Sequence, residues 1–364
     1  MQTHTPTAVS LFSGAGGMDV GFIRAGMKIV YANEINRHAS DTYRYNLGDH
    51  LSEADIYDEL ATMSRFSGVD CVFGGPPCQG FSVAGKMDLN DERSHLVKIF
   101  MSVIETVRPK MFVMENVKGL GTLSKFSAVR LDLIQQASKM GYTSDLTILN
   151  AKDFGVPQAR ERMFFVGLQK NTPFRLSDYI AQHYKPEQTT LEAIAHLGPQ
   201  GTEKNPQTCK AKVTLAASPV LRKSPYAGML FNGLGRPLNP SKPCATLPAS
   251  MGGNKTPIID EEQFFGSGDS WVEKYHRDLM SGHPPLDWQS TPPFIRRLTL
   301  SEAHILHTFP SNFVFKGPSS SIYSQIGNAV PCGLAEAVAK ATLDAFHDTK
   351  ILQTHKNQMS LFNA

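Results

Sequence analysis

The amino-acid sequence predicts an α/β fold: a Rossmann-like, doubly wound, mostly parallel sheet with a second, smaller, loop-rich β domain. In the first part of the chain, short apolar segments alternate with amphipathic ones, which is typical of βαβ units. The apolar segments end at glycine or at polar residues. From about residue 170 to 295, helical periodicity is weak and Pro, Gly, Ser and Thr are abundant, which favours short strands and long loops.

The predicted strands of the first domain end in unusual residues. They are AVSLFSG (8–14), KIVYANE (28–34), DCVFGG (70–75) and KMFVMENV (110–117), and a further pair at 143–150 and 162–169 is joined by an arginine-rich turn. Amphipathic segments at 95–107 and 127–140 predict helices between these strands. Ligands of doubly wound sheets bind outside the carboxyl ends of the strands, so we expect the functional residues there.

A regular pattern returns near the end of the chain. LTLSEAHILHTF (298–309) and GLAEAVAKATLDAF (333–346) predict helices, the second of which returns to the first domain. We therefore expect one domain from residues 1–172 and 311–347, a second domain with a hinge from 173–310, and a mobile tail at 348–364.

Length and composition limit the class of protein. The 364 residues suffice for two domains, and 41% hydrophobic with 19% charged residues fit a globular chain with a core. No apolar run reaches membrane-spanning length and the start MQTHTPT is polar, so we expect a cytoplasmic protein. Five scattered cysteines indicate a reducing compartment, and the twelve histidines show no metal-ligand spacing. A net charge of +3 permits a nucleic-acid partner.

The first motif is the glycine-rich segment LFSGAGGMDVGF (11–22), where a strand turns into a helix. Glycines allow a tight turn and a close approach of the backbone to a ligand. Glu34 ends the next strand, where an acidic residue usually binds ribose hydroxyls. The motif therefore predicts a nucleoside cofactor. A plain glycine turn and a dinucleotide site are the alternatives, but the third glycine of a dinucleotide motif would fall on Asp19.

The second motif is GGPPCQGFS (74–82), which ends the third strand. Two prolines cannot continue a strand ladder, so they force a stiff, exposed turn with Cys78 at its tip. A cysteine on such a turn can be an activated nucleophile. The alternative is a buried structural cysteine, which is the expectation for Cys71 inside the strand.

Three further motifs carry polar residues. In MENVKGL (114–120), Glu115 ends an apolar strand, and a partly desolvated carboxylate there suits general-acid work. In QARERMF (158–164), Arg160 and Arg162 share a period of two, which predicts two guanidinium groups on one face of a strand. In YSQIGNAVP (323–331), Asn328 precedes the last helix. Taken singly, these could be a solvated strand end, a surface ion pair and an ordinary helix start.

Together and in this order, the five motifs resemble one family, the DNA (cytosine-5) methyltransferases that use S-adenosylmethionine. The F-x-G-x-G-G loop, the Pro-Cys loop, the Glu-Asn-Val strand, the Q-x-R-x-R strand and the G-N-A-V-P segment all match. RRLTLSEAHILHTFP (296–310) is similar to the family's R-x-L-T-x-x-E block, and the resemblance covers about nine-tenths of the chain. It departs at Ile305 and His307, where many members carry Arg and Gln, and we expect both positions to be structural.

The resemblance implies a function for each domain. Residues 1–172 and 311–347 would form a catalytic domain with the fold of S-adenosylmethionine-dependent methyltransferases, and 173–310 a target-recognition domain. A cytosine would be flipped out of a specific double-stranded DNA sequence and methylated at C5, with S-adenosylhomocysteine as the other product.

The resemblance also implies the site residues. Cys78 would add to C6 of the cytosine, Glu115 would hold or protonate N3, and Arg160 and Arg162 would bind O2 and orient the groups around the base. The residues expected to bind the cofactor are Phe12, Gly14, Gly16, Gly17, Glu34, Asp55, Ile56, Pro76, Leu96, Asn328 and Val330.

Two segments resemble the DNA-contacting parts of the family. Residues 79–96 resemble the mobile loop that closes on DNA, and 244–255 resemble the target-recognition segment. The residues expected to contact DNA are Gln79, Ser82, Lys86, Arg93, Arg222, Lys223, Arg236, Thr246, Leu247 and Lys255. A solvated basic surface is the alternative for each basic residue among them.

The end of the chain carries a possible partner motif. QMSLF, from Gln358 to Phe362, resembles the peptide with which bacterial replication and repair proteins bind the sliding clamp. A chance match, or packing against the catalytic domain, is the alternative. We also expect a cognate restriction endonuclease as a functional partner, a monomeric state, and a bacterial protein associated with the nucleoid.

Three other functions compete with this prediction. The same chemistry on a transfer RNA cytosine is the nearest, but the long, varied region 170–295 favours a DNA-recognition domain. An inactive DNA-binding protein would lack Cys78 or Glu115, and both are present. A nicotinamide-dependent oxidoreductase would lack the third glycine and would have no use for Cys78.

Overall fold

The computed structural model describes residues 4–77, 95–170, 172–215, 229–231, 236–266 and 268–348. The strands along the chain are β1 (Thr7–Leu11), β2 (Lys28–Asn33), β3 (Leu51–Ser52), β4 (Cys71–Gly74), β5 (Met111–Val117), β6 (Thr143–Asn150), β7 (Gln158–Ala159), β8 (Glu161–Leu168), β9 (Val213–Leu215), β10 (Met229–Phe231), β11 (Cys244–Ala245), β12 (Ile258–Asp260) and β13 (Ile295–Arg297).

The α-helices follow the same order. They are α1 (Gly17–Arg24), α2 (Arg37–Leu47), α3 (Ile56–Glu59), α4 (His95–Val107), α5 (Lys118–Thr122), α6 (Ser127–Lys139), α7 (Ser177–Ile180), α8 (Thr190–Ile194), α9 (Glu261–Phe265), α10 (Trp271–Met280), α11 (Leu300–Leu306), α12 (Ser319–Asn328) and α13 (Cys332–His347). The helices predicted at 95–107 and 127–140 are confirmed as α4 and α6.

The chain forms two compact units. The first contains Met1–Phe154, Glu161–Lys185 and Cys332–Ala364, and the second contains Gly155–Arg160 and Pro186–Pro331. Residues 311–331, which the sequence predicts in the catalytic domain, group with the second unit because Tyr323 and Ile326 of α12 are buried in its core. The functional division into a catalytic and a recognition domain stays a prediction.

In the described residues, the first unit is built on a sheet of seven strands in the order β3-β2-β1-β4-β5-β8-β6. The first five strands of this order are parallel, and β8 runs antiparallel to both β5 and β6. The predicted doubly wound, mostly parallel sheet is therefore confirmed. The strand order reverses between β1 and β4, and ligands of such sheets bind at that point.

Close helix packing supports the sheet. α1 packs against α13 at Gly21, where an added Cβ would lie 2.5 Å from the Cβ of Ala335, so the contact requires glycine. α4 buries Val97, Phe100 and Ile104, which recur at helical spacing, in a hydrophobic core of this unit. This packing fixes the carboxyl ends of the parallel strands on a rigid support.

The second unit consists of short strands, short helices and loops, as the sequence predicts. One of its hydrophobic cores contains Leu247, Ile259, Leu298 and Leu306. Arg296 and Glu302 are both fully buried and form a bidentate ion pair, with oxygen–nitrogen distances of 2.7 and 2.9 Å. A buried pair of this kind is strongly destabilised if either partner is lost.

The second unit contains several helices that the sequence did not predict, and the two longest of them are α10 and α12. α10 buries Val272, Tyr275, His276 and Leu279 at helical spacing, and the side chain of Ser270 caps it by accepting the N–H of Glu273. These signals are present in the sequence but lie among proline- and glycine-rich segments, which made the whole region resemble loop. The second helix, α12, ends at Asn328, where the sequence predicted only a turn.

None of the described helices combines the length and the apolar character that a transmembrane helix requires.

Candidate active site

The turn after β1 has an unusual backbone. Phe12, Gly14 and Gly16 have φ angles of 55°, 56° and 90°, all in the left-handed region. For Phe12 this conformation carries strain, and such strain concentrates at functional sites. The N–H of Ser13 donates to the carbonyl of Asn33 at the end of β2 (2.9 Å), which ties the turn to the neighbouring strand. Gly17 then begins α1 and is buried.

Glu34 faces this turn. Its Oε2 accepts the N–H of Gly14 at 2.8 Å, and its Oε1 accepts the N–H of Asn36 at 2.8 Å. Burial raises the pKa of the Glu34 carboxyl, although the backbone donors of Asn36, Gly14 and Ile35 oppose that shift. A carboxylate with two oxygens can accept about four hydrogen bonds, so lone pairs remain for hydroxyl groups of a ligand.

The space beside the turn suits a nucleoside. A Cβ added at Gly14 would meet nothing within 4 Å, so the backbone is open there. At Gly16, by contrast, an added Cβ would collide with the side chain of Leu47 and lie 3.1 Å from the ring of Tyr43. An open backbone on one side, close packing on the other and an oriented acid fit S-adenosylmethionine, whose ribose presents two hydroxyl groups.

The turn before α3 lies near the same sheet edge. Asp55 is exposed and caps α3 by accepting the N–H of Tyr57 at 3.0 Å. Ile56 is buried and packs in a hydrophobic core of the first unit. The expected contact of Asp55 and Ile56 with the cofactor stays a prediction. Leu96 is half-buried and packs against the same core.

The turn after β4 is held by direct contacts on two sides. At Gly74, an added Cβ would collide with the carbonyl oxygen of Leu11, and at Gly75 it would lie 2.9 Å from Oε2 of Glu115. Position 74 therefore requires glycine, whereas a side chain at position 75 would displace the Glu115 carboxylate. Pro76 is buried, and its carbonyl accepts the Nδ2 group of Asn116 at 3.2 Å. Cys78 comes two residues later and lies outside the described residues.

Glu115 and Arg162 form an ion pair beside this turn. Oε1 of Glu115 lies 2.9 Å from Nε of Arg162, and their side chains are 13% and 15% exposed. β5 and β8 are antiparallel neighbours, with Val117 opposite Arg162, so the two side chains meet across the ladder. Nη1 of Arg162 also donates to the carbonyl of Glu161 at 2.8 Å. The pair presents an acid and a fixed cation at one place.

Arg160 does not share this arrangement. It lies between β7 and β8 rather than within β8, so the prediction that both guanidinium groups project from one strand is wrong. Arg160 is 2% exposed, and it donates to the carbonyls of Leu247 (3.0 Å) and Gly327 (2.9 Å). Arg160 belongs to the second unit, and these hydrogen bonds connect it to two other backbone segments of the same unit. Sequence periodicity alone cannot reveal such contacts.

The described part of the second unit places several other expected residues. Arg236, Thr246, Lys255 and Asn328 are exposed. Leu247 is fully buried in a hydrophobic core of the second unit, and its expected contact with DNA stays a prediction. Val330 is 6% exposed. The expected DNA-contacting and partner residues that lie outside the described residues are Gln79, Ser82, Lys86, Arg93, Arg222, Lys223 and the segment from Gln358 to Phe362.

Two residues that depart from the family pattern face the interior. His307 is fully buried, and Ile305 packs partly buried against the core of the second unit. The interpretation of both as structural agrees with this placement.

Three further residues hold these turns and loops in place, and the sequence motifs did not assign them a role. Asn116 adjoins Glu115 and anchors Pro76, and its place in the Glu-Asn-Val motif was the signal. Gln158 is fully buried, and its Oε1 accepts the N–H of Leu247. Asp19 is also fully buried and accepts the hydroxyl of Tyr43 at 2.8 Å, which no local pattern indicates.

Within the ranges that the structure describes, no group of three or more His, Cys, Asp or Glu side chains could hold a metal ion.

Comparison with known proteins defines the class. The fold is that of S-adenosylmethionine-dependent methyltransferases. It is similar to the S. pombe Dnmt2 methyltransferase (TM-score 0.67, 17% identity, 94% of this chain and 100% of that chain) and to EhMeth of Entamoeba histolytica (TM-score 0.64, 17% identity, 95% and 100%). At these identities the likeness shows the fold alone.

The family follows from the sequence comparison. The family model described as C-5 cytosine-specific DNA methylase matches residues 7–344, so the chain belongs to the C-5 cytosine-specific DNA methylase family. It is 33% identical to the Type II methyltransferase M1.HphI of Haemophilus parahaemolyticus, over 93% of this chain and 86% of that protein. It is 30% identical to the Type II methyltransferase M.FnuDI of Fusobacterium nucleatum, over 98% and 99%. The protein is therefore a DNA (cytosine-5-)-methyltransferase. This family membership supports the prediction of a DNA substrate over the alternative of a transfer RNA substrate.

Proposed function

We propose that the protein methylates C5 of a cytosine flipped out of double-stranded DNA, and that Cys78, Glu115 and Arg162 carry the chemistry. The observation that carries this assignment is the ion pair of Glu115 and Arg162 directly beside the Gly75–Pro76 turn, which leads to Cys78. A nucleophile and the groups that bind its target must be held in a fixed relation for efficient reaction.

The proposed reaction begins at Cys78. C5 of cytosine is a poor nucleophile, and addition of the Cys78 thiolate to C6 breaks the C5–C6 double bond and makes C5 the nucleophilic carbon of an enamine-like system. As the sulfur–C6 bond forms, electron density moves to C5 and to N3. After methylation, loss of the C5 proton and release of the sulfur restore the aromatic ring. The enzyme is regenerated with its thiolate free.

Glu115 and Arg162 stabilise the charge that develops on the base. The carboxyl of Glu115 donates or holds a proton at N3, and the guanidinium of Arg162 donates to O2. Because the pair is largely shielded from water, its hydrogen bonds act in a less polar medium and are stronger there. The position of Glu115 is set by Gly75 on one side and Arg162 on the other.

The first unit offers the cofactor site. The turn of Phe12, Gly14 and Gly16 with the Glu34 carboxylate would bind S-adenosylmethionine, and Glu34 would accept its ribose hydroxyls. When bound, the cofactor supplies an electrophilic methyl group on a sulfonium. The backbone at Asp55 and Ile56 would contact the adenine, and Asn328 and Val330 are further contacts implied by the family resemblance.

The second unit would recognise the DNA sequence. It exposes Thr246, Lys255 and Arg236, which can bind phosphates or base edges. The type II relatives suggest a modification role with a cognate endonuclease. Docking of residues 358–362 on a sliding clamp is a separate proposal, and deletion of residues 358–364 would abolish clamp binding if it holds.

The assignment of Cys78 is tested by substitution and by trapping. Cys78→Ser should abolish methyl transfer while DNA binding persists, and Cys209→Ser, at a half-buried cysteine of the second unit, should remain active. DNA with 5-fluorocytosine should form a covalent adduct with the wild-type protein, because fluorine at C5 cannot leave as a proton does. Substantial activity in Cys78→Ser, or no adduct, would refute the covalent route.

The substrate is tested directly by sequencing. Bisulfite sequencing of DNA from cells that express the protein should show methylation at one short sequence. Incubation with labelled cofactor and transfer RNA serves as the comparison. Label in the RNA and none in the DNA would contradict the DNA assignment.

A further inference from the structure

We propose that Gln158 and Arg160 are positioning residues that set the DNA-sequence specificity, by clamping a recognition loop at residues 246–256. This inference rests on the proposed role of the second unit in recognition. It replaces the catalytic role that the sequence suggested for Arg160.

Gln158 and Arg160, here called the clamp residues, bind both polar groups of the Leu247 main chain. Oε1 of Gln158 accepts the N–H of Leu247 at 3.1 Å, and Nη1 of Arg160 donates to the carbonyl of the same residue at 3.0 Å. The hydroxyl of Thr246 donates to the carbonyl of Ala159 at 3.0 Å. β7 and β11 pair in parallel directly before these contacts. The start of the loop is therefore fixed by side chains and by a short ladder.

The same two side chains tie the loop to α11 and α12. Nη2 of Arg160 donates to the carbonyl of Gly327 (2.9 Å), near the end of α12. Nε2 of Gln158 lies 3.3 Å from the carbonyl of Leu306 and 3.2 Å from Nδ1 of His307. At Gly327 an added Cβ would lie 2.7 Å from Cα of Ala249, so α12 directly supports the loop.

Burial inside the loop alternates with exposure. Leu247, Met251 and Thr256 are buried, whereas Thr246, Ser250, Asn254 and Lys255 are exposed. The hydroxyl of Thr256 accepts the N–H of Gly252 and donates to the carbonyl of Gly253. Anchored residues thus hold the exposed ones at fixed places, which is what discrimination between base pairs requires.

A buried arginine that bonds two backbone carbonyls has a specific geometric requirement. The planar guanidinium can serve both Leu247 and Gly327, whereas a lysine ammonium is a single point and cannot span them in the same way. Arg160→Lys keeps the charge and loosens the clamp. Gln158→Met keeps the volume and removes both polar groups, which gives a second variant should the first fail to fold.

The test measures kcat and kcat/KM on the duplex that the wild-type protein methylates and on duplexes that differ by one base pair. A good base contact discriminates about tenfold or more. We expect Arg160→Lys and Gln158→Met to lower the ratio of cognate to variant kcat/KM by about tenfold, with kcat on the cognate duplex kept within about threefold. A contact with the flipped cytosine would instead lower kcat on every duplex and leave the ratio unchanged, which would overturn the inference. An unchanged ratio and an unchanged kcat in the folded variants would overturn it as well.

Arg130→Lys is the matched control. Nη1 of Arg130 donates to the carbonyls of Leu120 (2.8 Å) and Leu123 (2.9 Å) in the first unit, so it has the same chemistry at another place. Its substitution should leave the ratio unchanged.

Lys255→Ala and Asn254→Ala separate the inference from the proposed function. If these exposed substitutions lower the ratio and the clamp variants do not, the loop contacts DNA and the clamp inference is wrong. If these exposed substitutions leave the ratio of cognate to variant kcat/KM unchanged, the proposed role of residues 246–256 in DNA recognition is wrong, whatever the clamp variants show.

Discussion

The carboxylate of Glu115 lies 2.9 Å from the guanidinium of Arg162, and both side chains are largely shielded from solvent near the carboxyl end of β5, beside the Gly75–Pro76 turn. Adjacent antiparallel strands bring the two together, and Asn116, the next residue along β5, holds the carbonyl of Pro76. One strand end thus fixes both the acid and the turn that leads to Cys78.

Arg162→Gln should lower kcat by about 10²- to 10³-fold, because it removes a fixed donor to the charge that develops on the base and leaves Glu115 without its ionic partner. Steady-state methyl transfer with labelled cofactor measures this. Lys118→Gln breaks an exposed pair between α5 and Glu161, at 2.8 Å, and should change kcat little. Activity of Arg162→Gln within threefold of the wild type would contradict the assigned role.

Gly75→Ala should reduce kcat by about tenfold or more without preventing folding. The added Cβ would lie 2.9 Å from Oε2 of Glu115, so the carboxylate must move, and small displacements of a catalytic group are costly. Gly268→Ala, where the nearest contact is an ordinary 3.5 Å, is the matched control. Full activity in Gly75→Ala would show that Glu115 does not need its observed position.

Glu34→Gln should raise the dissociation constant for S-adenosylhomocysteine by about tenfold or more, since charge-assisted hydrogen bonds at Gly14 and at the ribose are lost. Isothermal titration calorimetry measures the change. Glu105→Gln makes the same substitution at an exposed position of α4 and should bind normally. Unchanged binding by Glu34→Gln would remove Glu34 from the cofactor site.

Asp19 should make folding stability depend on pH. Burial raises the pKa of Asp19 from its ordinary 3.8 to about 7. The folded state therefore holds the proton more tightly than the unfolded state. Its contribution to the free energy of unfolding is fully present below about pH 4 and is lost as the pH rises towards 7.

Asp19→Asn should remove that dependence, because the amide resembles the neutral acid and does not titrate. Urea unfolding of both proteins at pH 5 and pH 8 measures this dependence. Between pH 5 and pH 8, the free energy of unfolding of the variant should rise relative to that of the wild type by roughly 1–4 kcal/mol. Asp41→Asn, at an exposed position, is the control and measures how the same substitution changes the free energy of unfolding without burial. A stability difference equal at both pH values would show that Asp19 does not titrate in this range.

The sequence by itself determined the class of fold, the positions of the main strands and the identity of the motifs. Apolar alternation and glycine turns are local properties, so β1, β2, β4 and β5 and the helices α4, α6 and α13 follow from them. The Pro-Cys turn and Glu34 follow strand ends and Glu115 lies near the end of β5, where parallel sheets gather ligands, so the sequence alone could predict a site there.

Only the tertiary structure decided which side chain acts with which. Arg160 and Arg162 look equivalent in sequence, yet one meets Glu115 across a ladder and the other is buried against the carbonyls of Leu247 and Gly327. Leu247 looked like a recognition residue and proved to be core. Hydrogen bonds between residues 87 to 167 positions apart depend on how the chain packs, and no local periodicity encodes that.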